Sequence, residues 1–283
     1  LNMAASTVGG NLTLTGGHAS GIIDSGTVTV GGNLIATTDA NSGVINLGTL
    51  AVDGTVQLTT NGSGNATVVN DAGLNFAAST VGGVLNATAT TGNMTDSGAI
   101  AIAGTTTLVT SANNATIALN TTSNVFTGAL TITTNDDSGN DADVTIDGGI
   151  TALIIAASTI DGDLTLTSGA TAGITDSGTV TVLGDIYLIT DAGNGVIDME
   201  TLAVTGSVDL ATHGSGDATL VNATALDFAA STVGGDLTAT ATTGNITQSG
   251  SLDINGTGTT TITASASGAD IILFNPLNDF EGA

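Results

Sequence analysis

Residues 4–15 read AASTVGGNLTLT, and this stretch decides the fold. Its second half, Asn11-Leu-Thr-Leu-Thr15, alternates apolar residues with polar ones. Period-two alternation puts Leu12 and Leu14 on one face of a strand and the threonines on the other. The Gly pair before it, Gly9-Gly10, marks a turn. The seven residues AASTVGG then return at 77–83 and 229–235, with the variant AASTIDG at 156–162. The intervals are 73, 79 and 73 residues, so a super-repeat of 152 residues runs through the chain. Shifted by 152, Ile22–Val30 (IIDSGTVTV) falls on Ile174–Val182 (ITDSGTVTV), and Asn61–Asn70 (NGSGNATVVN) on His213–Asn222 (HGSGDATLVN). Near the end the second copy gains two residues, after which Phe126-Thr-Gly-Ala129 matches Phe280-Glu-Gly-Ala283. Copy one covers 4–155 and copy two 156–283, and the chain reads as one fragment, 1–283, of a repetitive whole.

A finer period lies inside. Glycines at 10, 32, 54, 83, 104, 128, 162, 184, 206, 235, 256 and 282 recur at spacings of 21 to 34 residues, most of them just before an alternating strand. Turn chemistry separates the strands, as in Asp24-Ser-Gly26, Asp96-Ser-Gly98 and Asp176-Ser-Gly178. Units this short cannot bury an apolar face alone, but stacking them as coils can. The expectation is an all-β, parallel β-helix (β-solenoid) of about 12 coils of 21–34 residues. At roughly 4.8 Å per coil that makes a rod of about 55 Å. Propeller blades of ~40–50 residues do not fit a step of 22 residues. Phe76, Phe126, Phe228 and Phe280 recur at matching repeat positions and are expected inside.

Composition supports this reading and excludes several functions. The chain has 283 residues, no Lys or Arg, 25 acidic residues and a formal charge of −25. Only Glu200 and Glu281 are Glu. High charge signals disorder only when apolar content is low, and here it is 41%. Thr and Val suit a pleated surface, whereas the strong helix formers are scarce. Without cations there is no footprint for nucleic acid and no polybasic contact with anionic lipid. No apolar run approaches the ~18 residues of a membrane helix. No signal peptide opens the sequence, so an export signal is expected outside it. Cys is absent, which removes disulfides and thiolate metal sites.

The patterns GTVTVGGNL (26–34), TATTGNITQSG (240–250) and NDFEGA (278–283) resemble the β-strand repeats of large haemagglutinin-like exoproteins, including filamentous-haemagglutinin-type adhesins and autotransporter passengers. That resemblance implies a right-handed parallel β-helix, exported across a Gram-negative outer membrane and held at the bacterial cell surface or in the extracellular matrix.

No catalytic constellation stands out. His18 and His213 have Ala170 and Asn61 as counterparts in the other copy, so neither belongs to a repeated site. Ser and Asp fill every turn, and no Ser–His–Asp arrangement can be singled out. The expectation is that the protein is not an enzyme. The acid excess calls instead for counter-ions. Asp163 and Asp185 follow equivalent glycines on neighbouring coils, where like charges face each other. The densest acidic stretch, 135–149, holds Asp136, Asp137, Asp141, Asp143 and Asp147. Oxygen-rich turns of this kind suit Ca²⁺, so these seven aspartates are the candidate metal ligands. The sequence matches no EF-hand spacing.

The functional expectation is a structural extracellular fibre or surface filament, self-associating end to end with Ca²⁺ assistance. The alternative is a stalk or passenger segment of a large adhesin. A surface receptor or polysaccharide would then bind in one of the long loops, 135–149 or 265–278, the latter holding Pro276.

Overall fold

A computed structural model describes residues 1–135, 139, 141–255 and 258–281. All regular structure in it is β, and every pairing between strands is parallel, in a β-solenoid of about 12 turns. By internal contacts the chain divides into two compact units, Leu1–Asn135 and Asp136–Ala283. That division falls some residues before the boundary between the sequence copies at 155/156.

In unit 1 each turn lays one straight strand on one of two sheets and a bent pair of short strands on the other. One sheet begins with five-residue strands, Leu12–Gly16, Leu34–Thr38 and Thr55–Thr59. Their register stacks Leu12, Leu34 and Val56 in one column and Leu14, Ala36 and Leu58 in the next. The opposite sheet answers each with two short strands joined by a bend, such as Ile22–Asp24 and Val28–Val30. Side chains alternate in and out, so Val28 and Val30 are fully buried while Thr29 faces out. A parallel sheet with one wet face shows this alternation, where one covered on both faces would read as a continuous apolar run. Outside, Thr15, Thr37, Thr59 and Thr80 form a column of neighbours in register.

The uneven glycine spacing has a structural cause. At Ile45–Val52 the bent pair and the straight strand exchange sheets. On one side this eight-residue strand pairs with Ile22–Asp24 and Val28–Val30; on the other it pairs with the five-residue strand Ala66–Asn70, with a register shift between Leu47 and Leu50. The strand after Gly54 (Thr55–Thr59) therefore lies on one sheet and the strand after Gly83 (Leu85–Ala89) on the other. The 29 residues between those glycines cover one and a half turns, not one long turn. Paired residues within a unit lie 19 (Ala66 and Leu85) to 26 (Asp253 and Asp279) positions apart.

Unit 2 is built the same way. Leu164–Ser168, Ile186–Thr190 and Ser207–Ala211 stack in register, and the eight-residue strand Ile197–Val204 carries the exchange, its shift falling between Met199 and Leu202. Phe76, Phe126 and Phe228 are fully buried, as the repeat predicts. Phe280 departs from that expectation at 41% exposure, because no described strand stacks beyond Asp279–Phe280 in unit 2. Of the expected marker glycines, 256 and 282 lie outside the described residues; it is Gly258 that stacks against Gly235.

Candidate functional site

Where strands bend, the backbone ladder breaks and amide groups need other acceptors. Side chains of Asn, Asp and Thr supply them, one turn to the next. In unit 1 the Asn33 amide donates to Asn11 Oδ1 (2.9 Å), and the Thr55 amide donates to Asn33 Oδ1 (2.9 Å). In unit 2 the same positions hold aspartate. The Asp163 amide donates to Asp143 Oδ1 (2.9 Å), the Asp185 amide to Asp163 Oδ1 (2.7 Å), and the Ser207 amide and hydroxyl to Asp185 Oδ1 (2.6 and 2.9 Å). Three of the seven expected metal ligands, Asp143, Asp163 and Asp185, thus form one column, each holding the rung that follows. Asp147 caps its own turn by accepting from the Gly149 amide (2.7 Å). Asp141 is also held by an interaction and sits beside Gly139. Asp136 and Asp137 lie outside the described residues. Among the described residues, no group of three or more His, Asp or Glu side chains converges as a metal site.

Two further devices were not singled out in the sequence. Asp24 accepts from the Gly48 amide (3.1 Å), the Thr49 amide (2.7 Å) and the Thr49 hydroxyl (2.9 Å), clamping the irregular point where the sheets exchange. Asp176 does the same for Glu200 and Thr201 in unit 2. Beneath each clamp a buried Asn repairs the ladder. Asn70 accepts from the Val52 amide (2.8 Å) and donates to the carbonyls of Val52 (3.0 Å) and Gly73 (2.6 Å). Asn222 repeats this with Val204 and Ala225. The signal for these roles lay in the 152-residue shift, which pairs Asp24 with Asp176 and Asn70 with Asn222.

Electrostatics follow from this crowding. Tyr187 lies between Thr165 and Asp209 in register. Burial raises its phenol above the usual value, helped by the negative charges of Asp185, Asp163, Asp209 and Asp143. Partial burial raises the Asp209 carboxyl. Asp236 moves down, because the amide and hydroxyl of Thr259 both donate to it (2.6 and 3.0 Å). The histidines show no shared arrangement: the Ser20 amide donates to His18 Nδ1 (3.1 Å) within one turn, while His213 lies in unit 2.

One cleft in unit 2, of about 410 Å³, is lined by Thr247, Gln248, Ile272, Phe274, Asn275 and Pro276. Four of these residues belong to the 265–278 loop, one of the two loops where a receptor contact is expected. No helix of the described residues is long and apolar enough to cross a membrane.

Residues 63–133 and 215–283 each match a family described as "Repeats of unknown function (DUF5649)". The two matches start 152 residues apart, the same interval as the super-repeat. In these stretches the chain is similar to a repeat family. No curated protein and no solved structure gives a match.

Proposed function

We propose that the chain is a structural segment of an extracellular, surface-attached bacterial fibre, and that it performs no catalysis. One observation carries this reading: the conspicuous polar side chains, from Asn11 and Asn33 to Asp143, Asp163 and Asp185, hold backbone amides of neighbouring turns. Such groups serve mechanical continuity, because each turn anchors the following one. The resemblance to haemagglutinin-like exoproteins supports the location. In this reading copies add end to end, since stacked parallel turns can be continued by further turns of the same kind. Ca²⁺ would assist by neutralising the stacked carboxylates of Asp143, Asp163 and Asp185, which no basic side chain offsets.

The test is cryo-electron microscopy of the chain at high concentration, with Ca²⁺ and with a chelator. Filaments with an axial repeat of about 4.8 Å are expected. Isolated short particles under both conditions would remove end-to-end assembly and leave the second reading, an adhesin stalk. The exposed apolar loop around Phe274 favours that second reading.

A further inference from the structure

Unit 2 exposes four large apolar side chains near its last described strand: Ile271, Phe274, Leu277 and Phe280. They fall into two classes, and the sequence copies separate them. Across this segment the copies are offset by 154 residues, because the second has gained two. The hydrogen bonds verify the offset. Asn124 Oδ1 accepts from the Ile100 amide (2.8 Å), and Asn278 Oδ1 accepts from the Leu252 amide (3.0 Å). Asp96 accepts from the Thr121 amide (3.3 Å), and Gln248 Oε1 accepts from the Asn275 amide (3.4 Å).

Ile117 and Phe126, the counterparts of Ile271 and Phe280, are each 1% exposed. The exposure of Ile271 and Phe280 therefore marks an uncovered interior. Phe274 and Leu277 are different. Their counterparts Asn120 and Ser123 are exposed although the interior residues flanking them are buried. This bend faces outward in both copies, so the 82% exposure of Phe274 and 75% of Leu277 belongs to the side of the unit. The first copy meets water there with Asp96, Ala118, Asn120, Thr122 and Ser123. The second presents Gln248, Ile272, Phe274, Pro276 and Leu277 at the same places. All five exchanges lower polarity; four of them, Gln248, Ile272, Phe274 and Pro276, line one cleft, and Leu277 follows Pro276 in the chain. An exposed patch of this kind marks an interaction surface.

Its surroundings are acidic. Thr247, which lines the cleft, donates to Asp227 Oδ1 (2.6 Å). Asp253 and Asp279 are neighbours in register, and Asp279 follows Asn278 at the end of the loop. A second copy of the chain brings −25 charges and no cation to this rim, so like charge opposes it. We propose that the Phe274–Leu277 cleft docks a cationic segment of another protein, seating an apolar side chain against Phe274 while Lys or Arg faces Asp227, Asp253 and Asp279. This goes beyond the fibre reading and does not depend on it.

The test uses a short synthetic peptide of alternating Lys and Leu carrying one Trp. The chain itself has no Trp, so peptide anisotropy reads binding directly. The control is an oligo-Lys peptide of equal charge, also with one Trp. Phe274→Asn with Leu277→Ser restores residues that the first copy carries in the same bend, and matching melting curves establish that the variant folds. At about 0.15 M salt the Lys–Leu peptide should bind the parent at least about tenfold more tightly than the double variant, with oligo-Lys binding both alike. Asp253→Asn with Asp279→Asn should weaken the Lys–Leu peptide and flatten its salt dependence. Equal binding of the Lys–Leu peptide to parent and Phe274→Asn/Leu277→Ser would overturn the proposal, leaving net charge alone. So would a parent that sediments as a dimer while that double variant does not, which would make a second copy the occupant.

Discussion

At the residue scale, the same side chain serves two different purposes, and hydrogen-bond direction separates them. Asn33 is used as an acceptor for the Thr55 amide, a task that Asp185 performs in unit 2 for Ser207. Asn70 both accepts from Val52 and donates to two carbonyls, which a carboxylate cannot do. Asn33→Asp should therefore change stability by no more than about 0.5 kcal/mol. Asn70→Asp should cost about 3 kcal/mol or more, because it buries a charge and orphans two carbonyls. Denaturant unfolding of both variants measures the contrast, and equal costs would contradict the assignment. Asp209 gives a pH signature. Burial raises its folded pKa above the ordinary 3.8, so its contribution is fully present below 3.8 and lost as pH rises through the folded value. Asp209→Asn should melt higher than the parent at pH 7, and the gap should close as pH falls toward 3.8. A gap that widens on acidification would reverse this reading.

At the element scale, close stacking makes small residues obligatory at particular corners. A Cβ on Gly82 would fall on the carbonyl oxygen of Gly62 in the adjoining turn, and the amide of Gly82 is already held by Thr60 (2.9 Å). At Gly48 a Cβ meets nothing within 4 Å. Gly82→Ala should lower stability by about 1–3 kcal/mol and Gly48→Ala by less than about 0.5 kcal/mol, read from thermal melts. The core aromatic is equally position-bound. Phe228 is fully buried, and Phe228→Ala should cost about 3–5 kcal/mol. Glycines and aromatics of this kind were legible beforehand, because they return at fixed offsets. The exchange of straight and bent strands at Ile45–Val52 was not. It leaves only a spacing of 29 in the sequence, which reads equally well as one long turn.

At the scale of the whole molecule, charge is the unopposed force. With −25 and no Lys or Arg, self-repulsion must be screened by dissolved ions. Melting temperature should rise as salt increases from about 0.01 M to about 0.15 M, where the screening length falls from ~30 Å to ~8 Å. A melting temperature indifferent to salt would mean that the carboxylates are neutralised by other means. The same absence of cations leaves trypsin without a cleavage site, even in the unfolded chain.

The sequence by itself determined the all-β class, the parallel stacking of short turns, the buried Val, Leu, Ile and Phe columns, and the equivalence of the two copies. These follow from period-two alternation and exact recurrence, both local properties of a chain. The tertiary structure decided which aspartates meet. Asp143, Asp163 and Asp185 join one column because register brings them together, whereas Asp147, close in sequence, turns back onto Gly149. Only the stacked turns show that the Ile271 and Phe280 exposure is an uncovered interior while Phe274 and Leu277 stand on the side. The reason is physical: burial depends on what lies one turn above or below, about twenty residues away along the chain.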